Sequence, residues 1–126
     1  MTEKLDLYKC HICGNIVEVL HDGEGELVCC GKPMEKIDAN SQENVKGEYH
    51  LPVKMNNVIR VGQEIHPMTN EHHIEFLQLI SKDKQYALIK FFKTDEIPQI
   101  EITDKWQDFM SRELCNLHGL WQNYID

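Results

Sequence analysis

The sequence predicts a mainly β protein in two parts, a small cysteine module followed by a larger strand-rich domain forming a sandwich or barrel. Three observations predict it. Cys10, Cys13, Cys29 and Cys30 all fall in the first quarter of the chain. Short runs rich in β-branched and aromatic residues, separated by turn residues, fill the rest. Between the two, the segment 38–47 is polar and nearly devoid of apolar side chains, which reads as a linker. The boundary therefore falls between 1–37 and 38–126.

In the first part, Cys10-His-Ile-Cys13-Gly14 is a C-x-x-C-G knuckle. Two thiolates at that spacing grip one ion, and the glycine lets the turn adopt positive φ. Cys29-Cys30-Gly31 supplies a second pair. Ile16–Leu20 and Glu26–Val28, with Asp22–Gly25 between them, predict a hairpin that brings the pairs together. About 35 residues bury too little apolar surface to fold unaided, so metal supplies much of the folding energy. The adjacency of Cys29 and Cys30 on an extended chain predicts diverging side chains and a distorted site. Both a redox-tuned iron and a structural zinc fit four thiolates, as in rubredoxin-like and zinc-ribbon-like modules.

In the second part, strands are expected over 49–53, 58–61, 74–80, 86–92 and 100–102. Turns are expected over 55–57, 62–64, 81–84 and 94–96. Trp106, Phe109, Met110 and Leu114 also recur at helical spacing, but a strand feeding a turn at Cys115 is preferred over a helix across 104–114.

Composition narrows the function. The net charge of −8, from 13 Lys and Arg against 21 Asp and Glu, argues against a nucleic-acid surface. No apolar run approaches the roughly 20 residues of a membrane span, and the charged start is unlike a signal peptide, so a cytoplasmic protein with reduced cysteines is expected. Against that background, 5 Cys and 7 His in 126 residues lean towards metal. His50, His66 and the pair His72-His73 lie on three separate segments without a neighbouring cysteine, whereas Cys115 and His118 form a compact chelate before Gly119. His11 and His21 read as bystanders.

Together and in this order, these motifs resemble the desulfoferrodoxins, the two-iron superoxide reductases. Tyr8–His21 and Leu27–Met34 resemble the family's N-terminal iron module. Glu48-Tyr-His50-Leu-Pro-Val53, His66–His72 and Cys115-Asn-Leu-His118-Gly119 resemble its catalytic module. The resemblance implies an immunoglobulin-like β-sandwich for the second domain and two iron ions per chain. One would be held by Cys10, Cys13, Cys29 and Cys30, the other by His50, His66, His72 and His118 with Cys115 as axial thiolate. It assigns no metal to His73. The implied activity is one-electron reduction of superoxide to hydrogen peroxide at the ferrous His4Cys site. The implied partners are superoxide, a small electron-donor protein such as rubredoxin, and a second copy of the chain. Glu48, Cys115 and His118 are the implied catalytic residues, Glu48 as the carboxylate that can take the open iron position. The family commonly has Glu-Lys-His where this chain has Glu48-Tyr49-His50, so the substrate-attracting lysine is missing, and Lys46 and Lys54 are the nearby alternatives. An electron carrier without its own substrate, or a zinc-stapled binding domain, are the rival readings.

Overall fold

The structure, a computed structural model, describes residues 1–42 and 44–126. Glu43, within the segment read as a linker, lies outside the described residues. The chain forms two compact units, Met1–Asp38 and Ala39–Asp126.

In the first unit, strands β1 (Leu7–Lys9), β2 (Ile16–Glu18) and β5 (Glu35–Lys36) form an antiparallel sheet in the order β2-β1-β5. β3 (Val28–Cys29) pairs separately with β4 (Lys32–Pro33). The expected pairing of 16–20 with 26–28 does not occur, because β2 takes β1 as its partner instead, with Tyr8 opposite Val17. Each cysteine pair consequently occupies its own tight turn, one closing β1–β2 and one closing β3–β4. The second turn also departs from expectation. Cys30 and Gly31 both have positive φ, 54° and 73°, the signature of a two-residue type I′ hairpin turn. The chain is therefore not extended at Cys30, and its sulfur turns back to lie 3.9 Å from that of Cys29. Leu5, Leu7, Cys10 and Val19 are the buried apolar residues here, a core too small to stand without a staple.

The second unit opens with a short helix, α1 (Val45–His50), where a strand over 49–53 was expected. Asn44 caps it by accepting the Gly47 N–H at 2.9 Å. Gly47 is required by packing, because a Cβ there would sit 2.1 Å from the Gln42 carbonyl oxygen. The linker segment is correspondingly tied down. Asn40 bridges to Trp121, donating its N–H to Leu120 and accepting from Gln122.

Seven strands follow: β6 (Pro52–Met55), β7 (Val58–Val61), β8 (Ile74–Ser81), β9 (Ala87–Phe91), β10 (Gln99–Glu101), β11 (Phe109–Cys115) and β12 (Gly119–Ile125). They form two antiparallel sheets, β10-β7-β6 and β12-β11-β8-β9. This is the β-sandwich that the immunoglobulin-like expectation required. Ile59, Val61 and Ile100 from one sheet meet Leu77, Leu79, Phe109 and Ile125 from the other in a common core. Residues 109–115 take the strand alternative, because Phe109, Ser111, Glu113 and Cys115 alternate onto one buried face between two partner strands. Among the described residues no helix is long and apolar enough to cross a membrane.

Candidate metal centres

Two groups of donor atoms gather in the structure, one in each unit. In the first, Cys10, Cys13, Cys29 and Cys30 offer sulfurs that all lie within 4.8 Å of one another. The Cys13–Cys29 and Cys29–Cys30 separations are 3.6 and 3.9 Å, close to the roughly 3.8 Å edge of a tetrahedron with 2.3 Å metal–sulfur bonds. Backbone N–H groups of Cys13 and Ile12 lower the Cys10 thiol to about 6. The sulfurs of Cys13, Cys29 and Cys10 push Cys30 up to about 12. Four crowded thiols cannot all ionise without a cation among them, which is what a thiolate-bound metal supplies.

The second group comprises His50, His66, His72, Cys115 and His118, whose donor atoms also lie within 4.8 Å of one another. Each comes from a different structural device. His50 ends α1, and its Nδ1 donates to the Lys46 carbonyl one turn back at 2.6 Å. His66 follows β7 in a loop and donates Nδ1 to the Pro67 carbonyl at 2.7 Å. A carbonyl only accepts, so both rings carry hydrogen on Nδ1 and turn an unprotonated Nε2 inward. His72 precedes β8, with a buried Nε2 that has no hydrogen-bond partner. Cys115 ends β11, and His118 lies in the turn to β12, its Nδ1 3.8 Å from the Cys115 sulfur. Trp121 stacks on the His50 ring at 5.0 Å and donates its indole N–H to the His118 carbonyl.

Burial keeps the imidazoles of His50 and His72 below their ordinary range and lowers His66 to about 4. Burial pushes the Cys115 thiol up, opposed by the N–H groups of Leu117 and His118. Neutral imidazoles with converging lone pairs, one of them orphaned, fit a bound metal; a thiol that ionises on binding completes the set.

A pocket of about 440 Å³ lies over this cluster, lined by Lys46, Tyr49, His50, His66, Pro67, His72 and His118. Helical geometry decides what faces it. At about 100° per residue, Lys46, Tyr49 and His50 share one face of α1 while Glu48 occupies the other. Glu48 accordingly lines a separate cavity with Asn44, Gln63 and Asn123, and the structure does not bring its carboxylate to the histidines. Lys54, on β6, does not line the pocket either. His73 also turns aside, bonding to the Thr69 carbonyl at 2.9 Å.

Sequence reasoning missed the residues that orient the donors. Trp121 had a usable signal in its spacing from His118, three residues on past a glycine turn. Asn116, which bonds to the backbone on both sides of His72, had none beyond its place in the Cys115–His118 turn.

Comparisons with known proteins agree with this arrangement. A family model described as the desulfoferrodoxin N-terminal domain matches residues 2–37, and one described as desulfoferrodoxin matches residues 35–124. A superoxide reductase of Pyrococcus abyssi is 33% identical over 101 residues, 64% of this chain and 88% of its own. The crystal structure of the superoxide reductase from Treponema pallidum shares the fold with a TM-score of 0.71 at 22% identity, covering 98% of this chain and 99% of that one. The desulfoferrodoxin of Syntrophotalea carbinolica is 44% identical over 127 residues, 98% of each chain. With both family models matched in sequence order and that identity sustained nearly end to end, the chain belongs to the desulfoferrodoxin family.

Proposed function

We propose that this chain is a superoxide reductase whose residues 38–126 carry the reaction: one superoxide, one electron and two protons give one hydrogen peroxide. The observation that carries this reading is the convergence of four imidazoles and one thiol beneath an open pocket. His50, His66, His72, His118 and Cys115 hold an iron ion, and Cys10, Cys13, Cys29 and Cys30 in residues 1–37 hold a second. Iron held there would supply one-electron redox chemistry and a positive charge facing the anionic substrate. A carrier with no substrate of its own has no use for the pocket.

The protein's own groups prepare that encounter. The Nδ1 anchors of His50 and His66, together with the Trp121 stack, fix the rings so that little reorganisation accompanies the change in charge. Lys46 lines the pocket one turn before His50, on the same face of α1. It thereby takes the part that Tyr49 cannot, attracting superoxide despite a net charge of −8, since charges beyond a Debye length of about 8 Å are largely screened. Protons reach the product from solvent through the pocket. Glu48 is held out of the site by α1 and joins it only when that turn rearranges.

Re-reduction comes from a small electron-donor protein such as rubredoxin, in the cytoplasm. The protein acts as a homodimer. Edge strand β9 supports this, being exposed along its length with Leu88, Ile89 and Phe91 in solvent and Tyr86 just before it, a surface that pairing with a second copy covers.

The test is metal analysis with pulse radiolysis of the reduced protein. Two irons per chain, and one peroxide formed per superoxide consumed without evolution of dioxygen, are expected. Dioxygen release in equal measure with peroxide overturns the reductase reading in favour of dismutation. Failure of superoxide to oxidise the histidine site leaves an electron carrier.

A further inference from the structure

His50 and His66 owe their orientation to carbonyls that hold their rings, but no such ring anchor is found for His72 among the described residues, and its Nε2 has no hydrogen-bond partner. Its position must be imposed through the backbone. The peptide units on either side of His72 are both gripped by one side chain. Asn116 Oδ1 accepts the His73 N–H at 2.9 Å, and Asn116 Nδ2 donates to the Glu71 carbonyl at 3.0 Å. The Asn116 backbone N–H adds a third bond, to the His73 carbonyl at 3.1 Å. The amide orientation is unambiguous, since an N–H needs the oxygen and a carbonyl needs the NH2.

We infer that Asn116 is the positioning residue for His72, locking the loop that presents this imidazole to the turn that presents Cys115 and His118. Asn116 directly follows Cys115, so the clamp sets the separation between two donors that arrive from strands β8 and β11. Thr69 closes the same loop from the other side, exchanging hydrogen bonds with the His72 backbone at 2.9 to 3.2 Å. A single side chain meeting both flanking peptides restrains the rotation that otherwise swings the ring away from the cluster. Neither aspartate nor alanine reproduces it: aspartate keeps the acceptor for His73 and loses the donor to Glu71, and alanine loses both.

This inference rests on the assignment of His72 and Cys115 to one iron, and the test separates the two. Full-length protein, loaded with two irons and oxidised to the ferric state, is challenged with a ferric chelator while each site is followed by its own visible spectrum. Asn116→Ala should release iron from the histidine site about tenfold to a hundredfold faster than wild type, the range for loss of an outer-shell partner. Asn116→Asp should fall between the two. The four-cysteine site should keep its wild-type rate, and amide exchange should accelerate at His73 and Asn116 ahead of the β8 and β11 core. Wild-type release and exchange in Asn116→Ala overturns the inference. So does an equal loss in both variants that tracks a lowered melting temperature, which marks general destabilisation. Absence of any iron at the histidine site in wild type overturns instead the assignment on which it rests.

Discussion

The Nε2 atoms of His50 and His66 face each other across 3.1 Å while both Nδ1 hydrogens are committed to backbone carbonyls. Neither ring can donate to the other, so two lone pairs oppose one another in a buried site. His118 Nδ1 lies 3.1 Å from His50 Nε2 and the Cys115 sulfur 3.5 Å from His66 Nε2, so the donors converge on one point where a shared cation satisfies them together.

The first prediction follows directly. Removing iron from the histidine site should lower the melting temperature of residues 39–126, and titrating ferrous iron back should raise it continuously. At a free metal concentration a hundred times the dissociation constant, the gain is about 2.7 kcal/mol. Calorimetry on chelated and reloaded protein checks it, and a transition indifferent to metal contradicts the site.

Cys115→Ser should abolish the thiolate-to-iron absorption band and reduce superoxide turnover by more than the roughly 10–100-fold that loss of an outer-shell partner costs. Trp121→Phe keeps an aromatic surface for His50 but loses the bond to the His118 carbonyl. Its loss of iron affinity should stay within that range, with the band retained. Visible spectra and iron binding on the two variants separate ligand from support.

Lys46→Ala should lower the second-order rate with superoxide by a few-fold, up to about tenfold. A unit charge about 5 Å away is worth on the order of 1 kcal/mol in water. The deficit should shrink as salt rises. Tyr49→Lys, on the same helical face, should raise the rate by a margin that also shrinks as salt rises, whereas Lys54→Ala should leave it unchanged. Stopped-flow or radiolysis rates across ionic strength decide the matter.

Cys13→Ser should remove the visible spectrum of the four-cysteine site and lower the melting temperature of residues 1–38, whose apolar core is small. Superoxide reduction by the prereduced histidine site should persist. Loss of the fast reaction with that site still loaded makes the first iron an obligatory participant.

How far these features were legible depended on whether local pattern or tertiary packing decided them. Val58–Val61 and Ile74–Ser81 announce themselves as strands because β-branched residues and turn signals agree. Tyr49-His50-Leu51-Pro52-Val53 looks equally strand-like, yet Tyr49 and His50 fold into α1. There the Asn44 cap and the contact of Gly47 with the Gln42 carbonyl outweigh propensity. The strand Gly119–Ile125 carries no clean alternation of its own, and its pairing with Phe109–Cys115 across the Cys115–Gly119 turn is what fixes it. The metal donors were visible from spacing and type alone. Their anchors at Lys46, Pro67 and Asn116 were not, since two act through backbone carbonyls and the third through a loop that only the fold brings near.

Gly47 has a consequence for how this protein can diversify. The Gln42 carbonyl closes position 47 to any side chain, while positions 46 and 49 of the same helix open onto the pocket and are exposed. One turn of helix thus sets a closed position beside two open seats. A cation can move from one seat to the other, or the approach be made more or less welcoming to an anion, by a single codon change that leaves the ligand cage untouched. For an engineer, saturation at positions 46 and 49 is the inexpensive library, and every variant at 47 is wasted.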